Sequence, residues 1–394
     1  MRNNPNLKFI QRGAVMVNSR RLADCFSRLV RIDSVSREEG RISSELSDML
    51  KDMGASVYFD NAGEALGGEC GNLVAKFEGS VKADPLFLCG HMDTVEPGRG
   101  IKPSFEDGIF TSDGTTILGA DDKSALAIII EVLKVIFENN LPHPPIEVVF
   151  TICEEIGLLG AKHFDFSLLK SRIGYILDST ETDGIVTRAP AAGKFTIRVH
   201  GRDAHAGAAP EDGINAISLA AKAMANFEFG RIDHETTCNI GLIHGGKATN
   251  IVPDLVTIEG EARSHDQKKL DRVTGTIFKS FYDAADEIRK DNEIVPDIEV
   301  DYAHDFSATN IDEDHIVVKL ARKAAANLGR PMQSKTIGGG ADANVFCAKG
   351  ITAGVLGTGM QDVHTLRESI KLSDMVDTAA LVLEIIRIHA HREI

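Results

Sequence analysis

Apolar residues recur along the first half of the chain with two alternating periods. Over residues 19–32, Leu22, Phe26, Leu29 and Val30 fall on one face of a helix, and a second helix carries Ile42, Leu46 and Leu50. Ahead of the second, Val35-Ser36-Arg37-Glu38-Glu39 offers a serine N-cap and an acidic first turn. Residues 56–59 and 72–77 read as strands. A fully apolar run, Leu86-Phe87-Leu88, turns polar only at His91-Met92-Asp93, which is how a central parallel strand ends. The stretch 98–117 is rich in glycine and polar residues and reads as a loop with a short hairpin. A helix over 125–137 follows, then Pro142, Pro144 and Pro145, a strand over 146–152, and a further strand over 174–177 that ends in Asp178. Strand and helix alternate throughout, which predicts an α/β domain with a mostly parallel sheet and helices on both faces.

From about Ala189 the pattern changes. Residues 194–200 alternate apolar and polar, a helix spans 216–227, strands fall near 237–243 and 255–262, a long helix runs over 266–288, and a last strand covers 298–302. This β-α-β-β-α-β order predicts a ferredoxin-like α+β domain inserted into the first. A helix over 314–328, a triple glycine at Gly338-Gly339-Gly340, a strand near 353–356 and a helix over 372–389 complete the chain. The expected organisation is an extension over 1–15 with Met16 as an alternative start, a catalytic domain over 16–188 and 305–394, and an inserted domain over 189–304.

Length and charge narrow the function. A chain of 394 residues exceeds one ordinary core, and its 43% hydrophobic and 26% charged residues are those of a globular protein. A net charge of -15 argues against nucleic acid and against an anionic membrane surface. The six cysteines are scattered, with no CxxC pair, and several sit in apolar runs, as free thiols of a reducing cytoplasm do. Neither a signal-peptide core nor a transmembrane run is present, and the expected compartment is the cytoplasm.

Ligand-type side chains follow buried strands at several places: His91 with Asp93, Asp121 with Asp122, Glu154 with Glu155, and Asp178, with His364 a short loop beyond a fifth strand. Parallel strands deliver their C-terminal ends to one crevice, where ligands bind. Residues i and i+2 of an extended segment point the same way, so His91 and Asp93 can serve one point, the carboxylate holding the imidazole. Two imidazoles and at least three carboxylates suit divalent ions of zinc type, and are enough for two ions sharing a carboxylate. Two such ions about 3.5–4 Å apart would activate a water toward a carbonyl. In the doublet Glu154-Glu155, one carboxylate can bind metal while its neighbour moves the proton. Asp121-Asp122 also suits a helix cap, and Lys123 has no assignment.

His91-x-Asp93, Gly119-Ala-Asp-Asp-Lys123, Glu154-Glu-Ile-Gly157, Asp178 and His364-Thr365 resemble the motif set of the dinuclear zinc exopeptidase and deacylase family, from about Val17 to the C-terminus. Within it, Thr111-Ser-Asp-Gly-Thr-Thr-Ile-Leu-Gly-Ala-Asp-Asp-Lys123 and Glu154-Glu-Ile-Gly-Leu-Leu-Gly-Ala-Lys162 are most similar to the peptidase T-like tripeptidases, with Ser124-Ala-Leu126 a departure from a glycine-containing stretch. The resemblance implies a zinc-exopeptidase fold in which Asp121 bridges two Zn²⁺ (Co²⁺ or Mn²⁺ as substitutes). His91 and Asp178 complete one site, and Glu155 and His364 the other. Glu154 is then the general base and Asp93 orients His91.

The inserted block resembles the family's lid or dimerisation domain. Gly201-Arg-Asp-Ala-His205-Ala-Gly207 is similar to its substrate-contacting signature, which implies a homodimer in which His205 stabilises the oxyanion in the partner subunit's site. Asn250-Ile-Val-Pro253 and Arg263 match substrate-contacting positions, the arginine fork suiting a peptide carboxylate. Gly338-Gly-Gly-Ala-Asp-Ala-Asn344 resembles the glycine-rich loop beside the substrate, where Gly339 and Gly340 let backbone amides come close. Taken alone, His205 reads as a capped turn, Arg263 as a surface salt bridge and the glycines as a turn. The expected activity is a cytoplasmic metallo-aminopeptidase acting on short peptides, tripeptides first. The alternative is a dizinc deacylase of N-acyl amino acids, since both reactions hydrolyse an amide.

Overall fold

A computed structural model describes residues 17–289 and 296–393. The expected extension over 1–15 and the alternative start at Met16 lie outside the described residues. The described residues form two compact units, one of 17–187, 311–336 and 341–393, the other of 188–310 and 337–340.

In the first unit, strand Leu86–His91 is buried at all six positions, as is its neighbour Ile146–Thr151. The sheet runs Ser56–Phe59, Leu73–Phe77, Ile146–Thr151, Leu86–His91, Ile173–Ser179, Thr352–Gly357, Gly184–Ala189, with Gln333–Thr336 paired to the last. Only the centre is parallel: Leu86–His91 pairs in parallel with both neighbours, and Ile173–Ser179 with Thr352–Gly357. The flanking pairs are antiparallel, so the sheet is mixed rather than mostly parallel. Part of the reason is connection length. Residues 180–183 between Ile173–Ser179 and Gly184–Ala189 are too few for a crossover helix, and the chain returns antiparallel.

The parallel centre fixes where side chains emerge. His91 lies opposite Thr151, and Cys89 opposite Ile176, so the segments after His91, Thr151 and Ile176 leave the sheet on the same edge. Helix Ala120–Glu138 is apolar almost all round and packs against Leu86–His91, helix Ser19–Val30 and helix Leu372–His391. Its one buried carboxylate near the middle, Glu131, is held by Arg21 Nε at 2.6 Å and by the Asn18 N–H at 2.8 Å. Its first turn is irregular, with non-helical dihedrals at Asp121 and Asp122, and it presses on the end of the central strand. A Cβ on Gly90 would lie 2.9 Å from both the Asp122 carboxylate and the Ala125 methyl, so only glycine permits this approach.

The second helix begins at Gly40, with Glu39 at its N-cap and no side-chain cap bond. Ser36, expected to cap it, instead donates to Asp93 at 2.6 Å.

The second unit has the β-α-β-β-α-β order, with helices Ala216–Met224 and Gln267–Asp286. Its strands are ordered Thr236–Gly245, Leu255–Ser264, Ala191–His200, Asp297–Phe306, all antiparallel, with Gly230–Asp233 added at the edge. This unit extends beyond the expected 189–304. Strand Asp297–Phe306 follows Ala191–His200 to its end, pairing Phe306 with Ala192. Residues 337–340 join it because the Ile337 carbonyl accepts from His265 Nε2 at 2.8 Å and Gly340 sits against the Phe306 ring.

Gly90→Ala is expected to lower the unfolding free energy by about 1–3 kcal/mol through overpacking between strand and helix. Urea denaturation measures this, and an unchanged midpoint would refute the close-approach argument.

Candidate metal centre

Each ligand-type side chain reaches the edge of the sheet by a different local device. His91 is the last residue of its strand. Its Nδ1 lies 2.9 Å from the Asp93 backbone carbonyl, which can only accept, so Nδ1 carries hydrogen and Nε2 faces outward, 3.0 Å from Asp121 Oδ1. The Asp93 carboxylate is 3.4 Å from the same Nδ1, but its closer partners are the N–H groups of Glu154 (2.9 Å) and Glu155 (3.2 Å) and the Ser36 hydroxyl. It therefore fixes the turn bearing the glutamate doublet more directly than it fixes the imidazole.

The N–H groups of that turn are held by side chains. The N–H of Ile152 donates to Asn72 Oδ1 at 3.0 Å and that of Cys153, at φ 53°, donates to Glu39 Oε1 at 3.0 Å. Asp93 takes the next two. Asp178 stands near the end of strand Ile173–Ser179. His364, at φ 62°, lies in the loop between short paired strands Met360–Gln361 and Ser369–Lys371. Its Nε2 is 2.9 Å from Glu155 Oε2 and 3.3 Å from Asp121 Oδ2.

Two groups of donors result. His91, Asp121 and Asp178 form one, and Asp121, Glu155 and His364 the other, with the donor atoms of each within 4.8 Å of one another. Asp121 belongs to both. The electrostatics fit a cation in each. Burial raises the Asp178 carboxyl to about 8, with Asp121 adding and His91 opposing. Burial also pushes Glu154 well above the carboxylate range, eased by His91 and reinforced by Asp178, Asp342 and Glu155. Hydrogen bonds to Asp121 and Glu155 raise His364 to about 10. For Asp121 burial acts upward, yet bonds to His364 and His91 outweigh it and hold the carboxyl low. Imidazole nitrogens and carboxylates drawn together in a desolvated site form the donor set of a borderline divalent ion.

Three neighbours were not legible as site residues. Asp342, at the start of helix Asp342–Ala348, accepts from the Thr151 hydroxyl at 2.6 Å, while its buried Oδ1 has no partner among the described residues. Burial raises its carboxyl to about 6. Glu39 reads in the sequence as part of a helix start, and Glu368 lies in the loop after His364 with no motif to mark it. Asp122 belongs to neither donor group and accepts from the His91 N–H at 3.1 Å. Lys123 is buried, donates to the Ile32 carbonyl at 2.7 Å, and is lowered to about 7 by burial.

The other expected site residues lie in the second unit. His205 is exposed, and its Nδ1 accepts from the N–H groups of Gly207 (3.2 Å) and Ala208 (3.1 Å), which leaves Nε2 as the protonated nitrogen of the neutral ring. The Asn250 carbonyl accepts from the Ala206 N–H at 3.0 Å, tying the two segments together. Arg263 already binds Glu261 through Nε at 3.0 Å and Nη2 at 3.1 Å, so its fork is engaged and only Nη1 faces elsewhere, 3.5 Å from the Gly338 carbonyl. A Cβ at Gly339 would meet nothing within 4 Å, whereas at Gly340 it would strike Phe306.

Residues 87–388 match the model of Peptidase family M20/M25/M40. The chain belongs to that family. An uncharacterised protein of Bacillus subtilis strain 168, YqjE, is 42% identical over 94% of this chain and 99% of its own length. The crystal structure of the aminopeptidase PepT from Bacillus cereus ATCC 10987 is similar at TM-score 0.88 and 40% identity, covering 95% of this chain and all of that one. A tripeptidase from Staphylococcus aureus Mu50 is similar at TM-score 0.90 and 37% identity, over 95% of this chain and 100% of its own. The protein is thus a peptidase with a mixed α/β fold of this family.

Added zinc is expected to raise the melting temperature, by about 2.7 kcal/mol of stabilisation at a hundredfold excess over Kd for one site. Removing His364 (His364→Ala) should shrink the gain. A melting temperature indifferent to zinc would contradict the donor sets.

Proposed function

We propose that this peptidase is a dizinc aminopeptidase of the cytoplasm that removes the N-terminal residue from short peptides, tripeptides first. The observation that carries this reading is the shared Asp121: two three-donor groups meet at one carboxylate, with Glu154 buried beside them. The similarity to an aminopeptidase and a tripeptidase at 40% and 37% identity supports the substrate class. Six free cysteines suit a reducing compartment.

His91, Asp121 and Asp178 would hold one ion, and Asp121, Glu155 and His364 the other. When bound, the pair supplies Lewis acidity toward the scissile carbonyl and lowers the pKa of water. The protein's own groups do the rest. Glu154, buried beside both donor groups and a member of neither, is the general base: it takes the proton of the attacking water and passes it to the leaving amine. Asp93 keeps Glu154 and Glu155 in register with His91 through two main-chain hydrogen bonds and the His91 contact. His205, with Nδ1 occupied, offers Nε2–H to the developing oxyanion in a homodimer built on the second unit. The remaining Nη1 edge of Arg263, the Asn250 segment and the backbone of Gly339, which is open, and of Gly340, which packs on Phe306, would receive the rest of the peptide, the arginine taking its carboxylate.

The decisive assay is hydrolysis of unblocked di-, tri- and tetrapeptides with and without chelator. Metal-dependent release of the N-terminal residue, fastest from tripeptides, is expected. Inactivity of the zinc-loaded protein on all of them, with turnover of N-acetyl or N-succinyl amino acids, would replace this reading by the deacylase. Glu154→Gln should retain both ions while kcat falls about 10²–10⁴-fold, the usual reach of a general base. Near-wild-type turnover in that variant would remove Glu154 from the mechanism.

A further inference from the structure

Glu368 is almost fully buried, at 1% exposure, yet it sits in the loop that carries His364. Its carboxylate accepts three main-chain hydrogen bonds from a segment about 250 residues earlier: from Leu118 and Gly119 at 2.7 Å each through one oxygen, and from Asp121 at 2.9 Å through the other. Leu118 and Gly119 lie just ahead of helix Ala120–Glu138 and Asp121 in its irregular first turn, and the N-cap, Gly119 at φ 72°, has no side chain of its own to bind main chain there. One carboxylate thus anchors the entry to the helix from outside it.

The two segments it joins both carry donors. Asp121 is the donor common to both groups, its backbone is non-helical, and its N–H is bound by Glu368 itself. His364 lies four residues before Glu368, and the Glu368 N–H donates to the Thr365 carbonyl at 3.1 Å, closing the loop on itself. We infer that Glu368 is a positioning residue of the metal centre. By gripping the main chain of 118–121 it fixes the Asp121 carboxylate relative to His364, and so sets the affinity and geometry of the ion held by Asp121, Glu155 and His364. This rests on the dizinc reading proposed above.

Glutamine at this position has nearly the same shape but only one accepting oxygen, and its amide would point hydrogens at backbone donors. The test compares the wild-type enzyme with Glu368→Gln and, as a control for lost stability, Glu147→Gln. Glu147 is another buried carboxylate, bound to Lys170 N–H, Ser171 N–H and the Ser171 hydroxyl at the start of strand Ile146–Thr151. Zinc is titrated against a chromophoric chelator, and the visible spectrum of the cobalt-substituted protein reports coordination geometry. Glu368→Gln is expected to weaken the ion held by Asp121, Glu155 and His364 about 10–100-fold, the usual cost of losing an outer partner of a ligand, and to alter the cobalt bands. Glu147→Gln should lower the melting temperature and change neither. If Glu368→Gln fails to fold, Glu368→Asp, which keeps the charge but shortens the reach, carries the same comparison. Two ions bound with wild-type affinity and spectrum in Glu368→Gln would overturn the inference, as would equal weakening in Glu147→Gln. Failure of the wild type itself to bind two ions would instead overturn the dizinc reading beneath it.

Discussion

The structure turns on an imbalance of buried charge. Asp93, Asp121, Asp122, Glu154 and Asp342 are all buried at one edge of the central sheet, with Asp178 and Glu155 beside them. Among the described residues, the two donor groups set the imidazoles of His91 and His364 against these carboxylates. The one buried lysine close in sequence, Lys123, is committed to a backbone carbonyl. Desolvated carboxylates at such density are costly unless protons or cations neutralise them. Raised carboxyl groups at Asp178, Glu154 and Asp342 are the form this strain takes within the protein alone. A pair of dications sharing Asp121 would relieve it and make the same cluster a catalyst.

Much of the remaining architecture holds that cluster in place. The parallel strands bring His91, Asp178 and the 152–155 turn to one edge, and the irregular start of helix Ala120–Glu138 adds Asp121. Around them, Asn72, Glu39 and Asp93 bind successive N–H groups of the turn, while Glu368 binds those of Leu118, Gly119 and Asp121. These are long-range side-chain to main-chain bonds. They replace secondary structure where loops must be both irregular and fixed.

His91, Asp121, Glu155 and Asp178 stand out in the sequence because each ends or follows a buried strand or opens a helix, where a charged side chain has few other uses, whereas His364 lies in a loop. His91, Asp121, Glu155, Asp178 and His364 fall into two groups by geometry alone. The supporting residues were hidden because their partners are backbone N–H groups far away, which leave no spacing to read. Ser36 and Glu39 do stand at a helix start, but their side chains anchor loops elsewhere, since a cap and a loop anchor share the same residue types. Antiparallel flanks of the sheet escaped notice for a similar reason: strand-helix alternation gives element order but not direction, which the four-residue return at 180–183 decides for Gly184–Ala189. The second unit was read well in pattern, because alternation and long amphipathic helices are local signals. Its end was not, because the pairing of Phe306 with Ala192 and the packing of Gly340 on Phe306 are tertiary events.

The central claim is that one carboxylate serves two ions. Anomalous diffraction at the zinc edge, on crystals of the zinc-loaded protein, addresses it directly. Two peaks about 3.5–4 Å apart, one on each side of the Asp121 carboxylate, are expected for a two-ion hydrolytic centre. A single peak at full zinc occupancy, or two peaks of which either lacks Asp121 as a ligand, would contradict it.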